Sequence, residues 1–138
     1  MAEPEITRDE QDRLLGAAKA AQECAYAPYS KFLVGAAVLA ESGKVYTGCN
    51  VENASYGLTI CAERNAIFHA VASEGPRLRV RAVAVTNAQG APCSPCGACR
   101  QVIFEFGPQA VVVFQGETGF VSCRAAELLP AGFTLGQK

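Results

Sequence analysis

The sequence predicts an α/β protein in three layers (α/β/α), with helices on both faces of one mixed five-stranded sheet and the last two strands forming an antiparallel hairpin. Three observations carry that expectation. The candidate elements run α-β-β-α-β-α-β-β, an order that needs helical cover on both sides of a sheet. Val34 to Ala40 is apolar almost without interruption, as expected of a strand buried on both faces. The link Gln115-Gly116-Glu117-Thr118-Gly119 between the last two strand candidates is too short for a parallel crossover, so it implies a hairpin. With 138 residues and 50% hydrophobic content, residues 1–138 suit a single domain whose core needs no covalent staples.

Each element has its own signal. Thr7 to about Ala25 reads as the first helix: Thr7 and Glu10 make a capping box, and Leu14, Ala18, Ala21 and Ala25 recur at helical spacing. Ala27-Pro28 stops it. After Val34 to Ala40, Ser42-Gly43 turns the chain, and Lys44 to Val51 returns as the second strand. Ala62 to Glu74 is the second helix, closed by Gly75-Pro76. Arg79 to Thr86 is the third strand. Ser94 as N-cap and Pro95 as first helical residue open the third helix, which ends at Gly107-Pro108. Ala110 to Phe114 and Phe120 to Cys123 form the hairpin, and a short helix, Ala125 to Leu129, stops at Pro130.

Charge narrows the function classes. Twelve Lys+Arg against thirteen Asp+Glu leave a net −1, whereas a sequence-independent nucleic-acid binder carries a basic excess. Arg77, Arg79 and Arg81 alternate at the start of the third strand and read as a charge-blunted strand end rather than an RNA contact. No apolar run is long enough to span a membrane, and Met1-Ala2-Glu3-Pro4-Glu5 is polar and acidic rather than signal-like. A cytoplasmic protein is expected. Charged residues are 18%, against about 25% in a typical domain, which leaves apolar surface for a partner subunit.

Seven cysteines are an odd count, and under reducing conditions they argue against a disulfide framework. Cys93, Cys96 and Cys99 crowd together, a pattern that points to metal or catalysis. Cys96 and Cys99 share one face at the start of the third helix, and Cys61 stands just before the second. Helix N-termini favour the thiolate, the form that binds metal. Three thiolates leave one tetrahedral position open, which is how a catalytic zinc site is built; adding Cys93 would close a four-thiolate structural site. Spacing leaves both open. An iron–sulfur motif would need a fourth cysteine soon after Cys99, where Arg100-Gln101-Val102-Ile103 stand. Glu63, in the first turn of the second helix, can reach a metal-bound water and carry its proton, or can simply complement the helix dipole. His69 lies about 12 Å along the helix axis from Cys61, too far to share the ion.

Cys61-Ala62-Glu63 with Pro95-Cys96-Gly97-Ala98-Cys99 matches the zinc-dependent nucleobase deaminase signature. More narrowly, the chain resembles the small, free-nucleoside branch of the cytidine/deoxycytidylate deaminase family, from about Ala25 to Phe133. The resemblance includes Ala25-Tyr26-Ala27-Pro28-Tyr29-Ser30, Phe32 with Val34-Gly35-Ala36-Ala37, Gly48 to Ala54, Cys61 to Arg64, Cys96 to Gln101, and Glu127 to Pro130. In this order the fragments are highly specific. One departure is Leu33, where the family commonly has proline.

The resemblance implies the family's cytidine deaminase-like fold and a set of roles. Cys61, Cys96 and Cys99 would hold one Zn2+ per chain, with a water in the fourth position. Glu63 would move protons from that water to N3 of the pyrimidine and then to the departing amino group. Asn50 and Glu52, two apart on the second strand, would grip the ribose hydroxyls. Phe32 would pack on the base, Tyr56 and Ala62 would line the pocket, and Arg64 would donate to the thiolates. A homotetramer with sites shared across interfaces is implied, Phe133 being the aromatic lent to a neighbour. The activity so implied is deamination of cytidine and deoxycytidine. A deaminase of another cytosine-bearing nucleoside and, from a different class, a structural-zinc interaction module are the alternatives.

Overall fold

The computed structural model describes residues 5–136, so most of the acidic start read above lies outside them. Thr7 opens α1 (Arg8–Gln22) through the predicted capping box: its hydroxyl accepts from Glu10 N, and Glu10 Oε1 accepts from Thr7 N, each at 3.0 Å. The periodicity extends this helix to about Ala25. In the structure Cys24 N and Ala25 N bond only three residues back, to Ala21 and Gln22, so the last turn tightens beyond the α-helix.

Five strands follow the predicted plan: β1 (Val34–Ala40), β2 (Val45–Cys49), β3 (Val80–Asn87), β4 (Val111–Gly116) and β5 (Gly119–Arg124). They lie in the order β2-β1-β3-β4-β5, with β3 and β4 parallel and every other pair antiparallel. The sheet is mixed because β1 and β2 form a hairpin, while β3 reaches β4 through α3 (Gly97–Phe106). Alternate residues then sort to the two faces. Ala37, Leu39, Ala82, Ala84, Val111 and Val113 meet Leu14 and Ala18 of α1. Ala36, Val38, Val83, Val85 and Val112 meet Ala66, Ile67 and Ala70 of α2 (Ala62–Glu74) and Ile103 of α3. All seven residues of β1 are buried, as the uninterrupted apolar run predicts.

Two boundaries differ from the sequence reading. The last hairpin turns on Glu117-Thr118 alone, because Gln115 pairs with Phe120 and Gly116 with Gly119. Gly119 supplies the positive φ of 129° beside that turn. At α3, the N-cap is Cys96 rather than Ser94: Cys96 is extended (φ −67°, ψ 168°), and its carbonyl accepts the first helical bond, from Arg100 N at 2.9 Å. Pro95 stays outside the helix, its carbonyl accepting from the Arg100 side chain at 2.7 Å. A short helix, α4 (Ala125–Leu128), ends close to the predicted stop. Among the described residues no helix is long and apolar enough to cross a membrane.

The position of α2 depends on Gly48. A Cβ there would sit 2.3 Å from Ala66 N and 2.8 Å from Ala62 O, so the helix backbone rests directly on β2. Asn65 Nδ2, donating to Cys49 O at 2.8 Å, fixes the same contact. Gly48→Ala is expected to destabilise the fold by about 3 kcal/mol or more, since backbone on both sides cannot yield as a side chain would. Gly57→Ala, with open space around it, should stay near wild type. Urea midpoints for the two variants check this, and a Gly48→Ala midpoint equal to wild type would contradict the packing.

Candidate active site

Two helix starts meet at the site. Cys61 caps α2 and Cys96 caps α3, and neither side chain makes a capping hydrogen bond, so both sulfurs are free to face each other. Cys99, one turn into α3, is fully buried; Cys61 is half-buried and Cys96 exposed. The three sulfurs all lie within 4.8 Å of one another. Cys61 Sγ and Cys96 Sγ are 3.8 Å apart, matching the separation of about 3.8 Å expected for two sulfurs each about 2.3 Å from one tetrahedral ion. The trio fits zinc.

Charge in the trio is arranged before any metal binds. Cys61 drops to about 5, chiefly because it accepts a hydrogen bond from Cys99, with Arg64 adding a further donor. Cys99 is pushed up, first by its contact with Cys61 and then by burial. Arg64 Nη2 lies 3.5 Å from Cys61 Sγ, and the thiolates hold its guanidinium more firmly protonated than usual. Arg64 Nε is buried with no hydrogen-bond partner among the described residues. Such an orphan donor costs about 1–3 kcal/mol, and it is tolerated where negative sulfur lies close by.

Glu63 sits in the first turn of α2, only 4% exposed. Burial raises its carboxyl to about 7, and the negative charge on Cys61 pushes the same way. A carboxyl near neutrality can both take and return a proton, which a surface glutamate does poorly at pH 7. Dipole complementation alone would leave it exposed and unshifted. Cys93 does not belong to the metal-binding group; its thiol is half-buried against the core, and burial pushes its pKa up. The closed four-thiolate site is therefore not formed. His69 is exposed, with Nδ1 against Thr47 O at 3.1 Å, as a surface residue should be.

The strand predicted to carry the sugar-binding pair is shorter than expected. Regular β2 ends at Cys49, and Asn50 and Glu52 flank Val51, which forms isolated bridges to Tyr26 and Ile60. Asn50 is buried, with Oδ1 accepting from Val34 N at 2.9 Å and Nδ2 donating to Phe32 O at 2.8 Å. Glu52 accepts from Tyr29 N at 3.0 Å and Ser30 N at 3.1 Å, and also from the Ser30 hydroxyl. Those bonds, the Ser30 hydroxyl first, hold its carboxyl below the usual range. Both residues thus clamp the loop that carries Phe32. Glu52 and Tyr56 line a pocket of about 230 Å³ with Tyr29, Ser30, Asn53 and Thr59; Tyr56, on a 3-10 turn (Tyr56–Leu58), is 83% exposed. Ala62 is fully buried at the first position of α2. Phe133 is 64% exposed and lines a separate cavity of about 690 Å³ whose walls include none of the cysteines.

Residues 8–115 match the family described as the cytidine and deoxycytidylate deaminase zinc-binding region. The chain belongs to this family. A cytidine deaminase of Sporosarcina psychrophila is 49% identical over 125 residues, covering 89% of this chain and 90% of that protein. One from Mycobacterium tuberculosis is 43% identical over 122 residues, 88% of each. The crystal structure of cytidine deaminase from Burkholderia pseudomallei superposes with a TM-score of 0.81 at 48% identity, covering 93% of this chain and 100% of that one. The three-layer fold and the zinc-binding trio are those of the cytidine and deoxycytidylate deaminase family.

One residue escaped the sequence reading. Arg100 directly follows the ligand Cys99 and was legible only as part of a motif, because its partners are carbonyls brought near by folding. For the metal, Cys61→Ser and Cys99→Ser are expected to lose zinc on dialysis, whereas Cys93→Ser keeps one ion per chain. Atomic emission on the dialysed proteins decides it; zinc lost from Cys93→Ser would reinstate the four-thiolate site.

Proposed function

We propose that this chain catalyses the hydrolytic deamination of cytidine and deoxycytidine to uridine and deoxyuridine, releasing ammonia. The observation that carries the reading is a buried carboxyl, Glu63, next to a thiolate trio that leaves one coordination position for water. Cys61, Cys96 and Cys99 would hold zinc, which when bound would supply the Lewis acidity that activates a water at neutral pH. Glu63 takes the water's proton and delivers it to N3 of the pyrimidine, so that C4 becomes electrophilic as oxygen adds. Glu63 then moves a second proton to the amino group, and ammonia leaves from the tetrahedral C4. Arg64 draws charge from the sulfurs, which keeps a three-thiolate centre sufficiently electrophilic.

Recognition in this reading uses the loop and pocket around Glu52. Phe32 packs against the base, and the remaining N–H of Asn50 and the outer face of Glu52 meet the sugar hydroxyls. Tyr56 and Ala62 complete the wall. Glu52 stays ionised and would repel a 5′-phosphate, so a nucleoside is favoured over a deoxycytidylate. The enzyme works in the cytoplasm as a single-domain subunit of a homotetramer, with Phe133 completing a neighbour's pocket and no nucleic-acid or membrane partner. The exposure of Phe133 supports that last assignment. Ammonia release from the zinc-loaded protein, measured across cytidine, deoxycytidine and deoxycytidylate, tests the substrate class.

Two variants test the mechanism. Glu63→Gln should keep fold and zinc yet lose turnover by about 10²–10⁴-fold or more, since the amide cannot accept and return a proton. Activity within a few-fold of wild type would remove Glu63 from proton transfer. For the shared site, Phe133→Ala should be strongly impaired, and refolding it with Glu63→Ala chains should restore activity to about a quarter of sites at equal mixing. Mixed oligomers with no recovered activity would place Phe133 in its own subunit.

A further inference from the structure

One side chain fixes the loop that presents Cys96. Arg100 donates from Nε to Pro95 O at 2.7 Å, from Nη2 to Ser94 Oγ at 3.4 Å and from Nη1 to Leu128 O at 3.1 Å. The first two partners adjoin Cys96; the third lies at the end of α4. The next residue, Gln101, donates from Nε2 to Phe133 O at 3.1 Å. Adjacent residues of α3, immediately after Cys99, therefore hold both ends of residues 128–133. Between those ends the segment lies flat on α3: a Cβ at Gly132 would sit 2.7 Å from the ring of Phe104. Ala131 holds a left-handed φ of 57°, a conformation an alanine keeps only where its surroundings enforce it.

A guanidinium projects its donors in fixed directions, so Arg100 can satisfy Pro95 O and Leu128 O together only in one relative placement of loop and segment. We propose that Arg100 is a positioning residue that, with Gln101, couples metal loading to the placement of the C-terminal segment carrying Phe133. The inference rests on the zinc reading given above. Gathering Cys96 and Cys99 around one ion fixes Pro95 and the first turn of α3. Arg100 and Gln101 then pass that order to residues 128–133. Linkage makes the effect reciprocal: an ordered segment retains zinc better.

Hydrogen exchange of the wild-type chain, zinc-loaded and chelator-stripped, tests the coupling directly, with zinc content measured in parallel. Loading should slow exchange of amides 128–135 several-fold more than that of the β1 and β3 amides. Arg100→Lys keeps the charge but loses the fork; it should still bind zinc, release it to a chelator about 10-fold faster, and lose the zinc-dependent protection of the segment. Gln101→Ala should loosen the Phe133 end and, by the same linkage, release zinc faster than wild type but by less than Arg100→Lys. Zinc that binds without slowing exchange in residues 128–135 overturns the coupling, and this arm needs no variant to fold. Wild-type zinc release from Arg100→Lys overturns the role of Arg100. A wild-type chain that takes up no zinc would instead remove the metal reading, and the coupling with it.

Discussion

The convergence of two helix N-termini is the constraint on which the rest of this structure depends. Each carries about half a positive charge, and bringing two together is unfavourable unless negative charge lies between them. Here that charge is sulfur: the N-cap residues of α2 and α3 are both cysteines, 3.8 Å apart. Three thiolates around a dication carry a net −1, about enough to balance two half-charges. With Arg64 beside Cys61 adding a further positive charge, negative sulfur and the buried Glu63 lie among the positive groups that they offset. Gly48 makes this possible from below, since only a residue without Cβ lets α2 lie on β2 at that depth.

Much of this was legible in the sequence because it depends on local signals. The capping box of α1, the apolar run of β1 and the glycine-proline end of α2 are each short-range features with one structural meaning. The metal trio was legible because Cys96 and Cys99 are close in sequence and Cys61 precedes its own helix. What could not be read depends on long-range partners. Asn50 and Glu52 have period-two spacing, yet their partners lie 16 and 22–23 positions away, and Val51 between them pairs with Tyr26 and Ile60 rather than within β2. The start of α3 differs in the same way: Ser94-Pro95 carries a local helix-start signal, while in the fold Cys96 is the N-cap and the Pro95 carbonyl accepts from the Arg100 side chain.

Those long-range bonds give the Tyr29–Val34 loop its rigidity. Lys31 holds a positive φ of 61°, an uncommon conformation for a residue with a side chain, and it does so between the anchors made by Glu52 and Asn50. A polar pair that first orders its own loop loses little further entropy on meeting a ligand, because its rotamers are already fixed. The same bonds keep Glu52 ionised, so the groups that hold the loop also fix a negative charge beside it. Under the proposed substrate reading, positioning and discrimination against a phosphate would arise from that one set of contacts.

The C-terminal segment leaves large apolar side chains in solvent. Phe133 at 64% exposure and Leu135 at 90% leave apolar surface in water, forgoing about 1.5–3 kcal/mol for each large side chain that a partner could bury. The backbone beneath them is nevertheless held, by Gln101 at Phe133 O and Arg100 at Leu128 O. A held backbone presenting one exposed ring, Phe133, suits a segment that another surface can cover, since an aromatic presented rigidly loses little entropy when it docks. With the proposed sharing of sites, the direction of influence follows from chain connectivity. The loop that would position Phe133 lies in the same subunit as Phe133, whereas the pocket it would complete lies in the neighbour. Under the two proposals together, loading one subunit with zinc would prepare its neighbour's pocket as well as its own chemistry, and metal occupancy would link the sites.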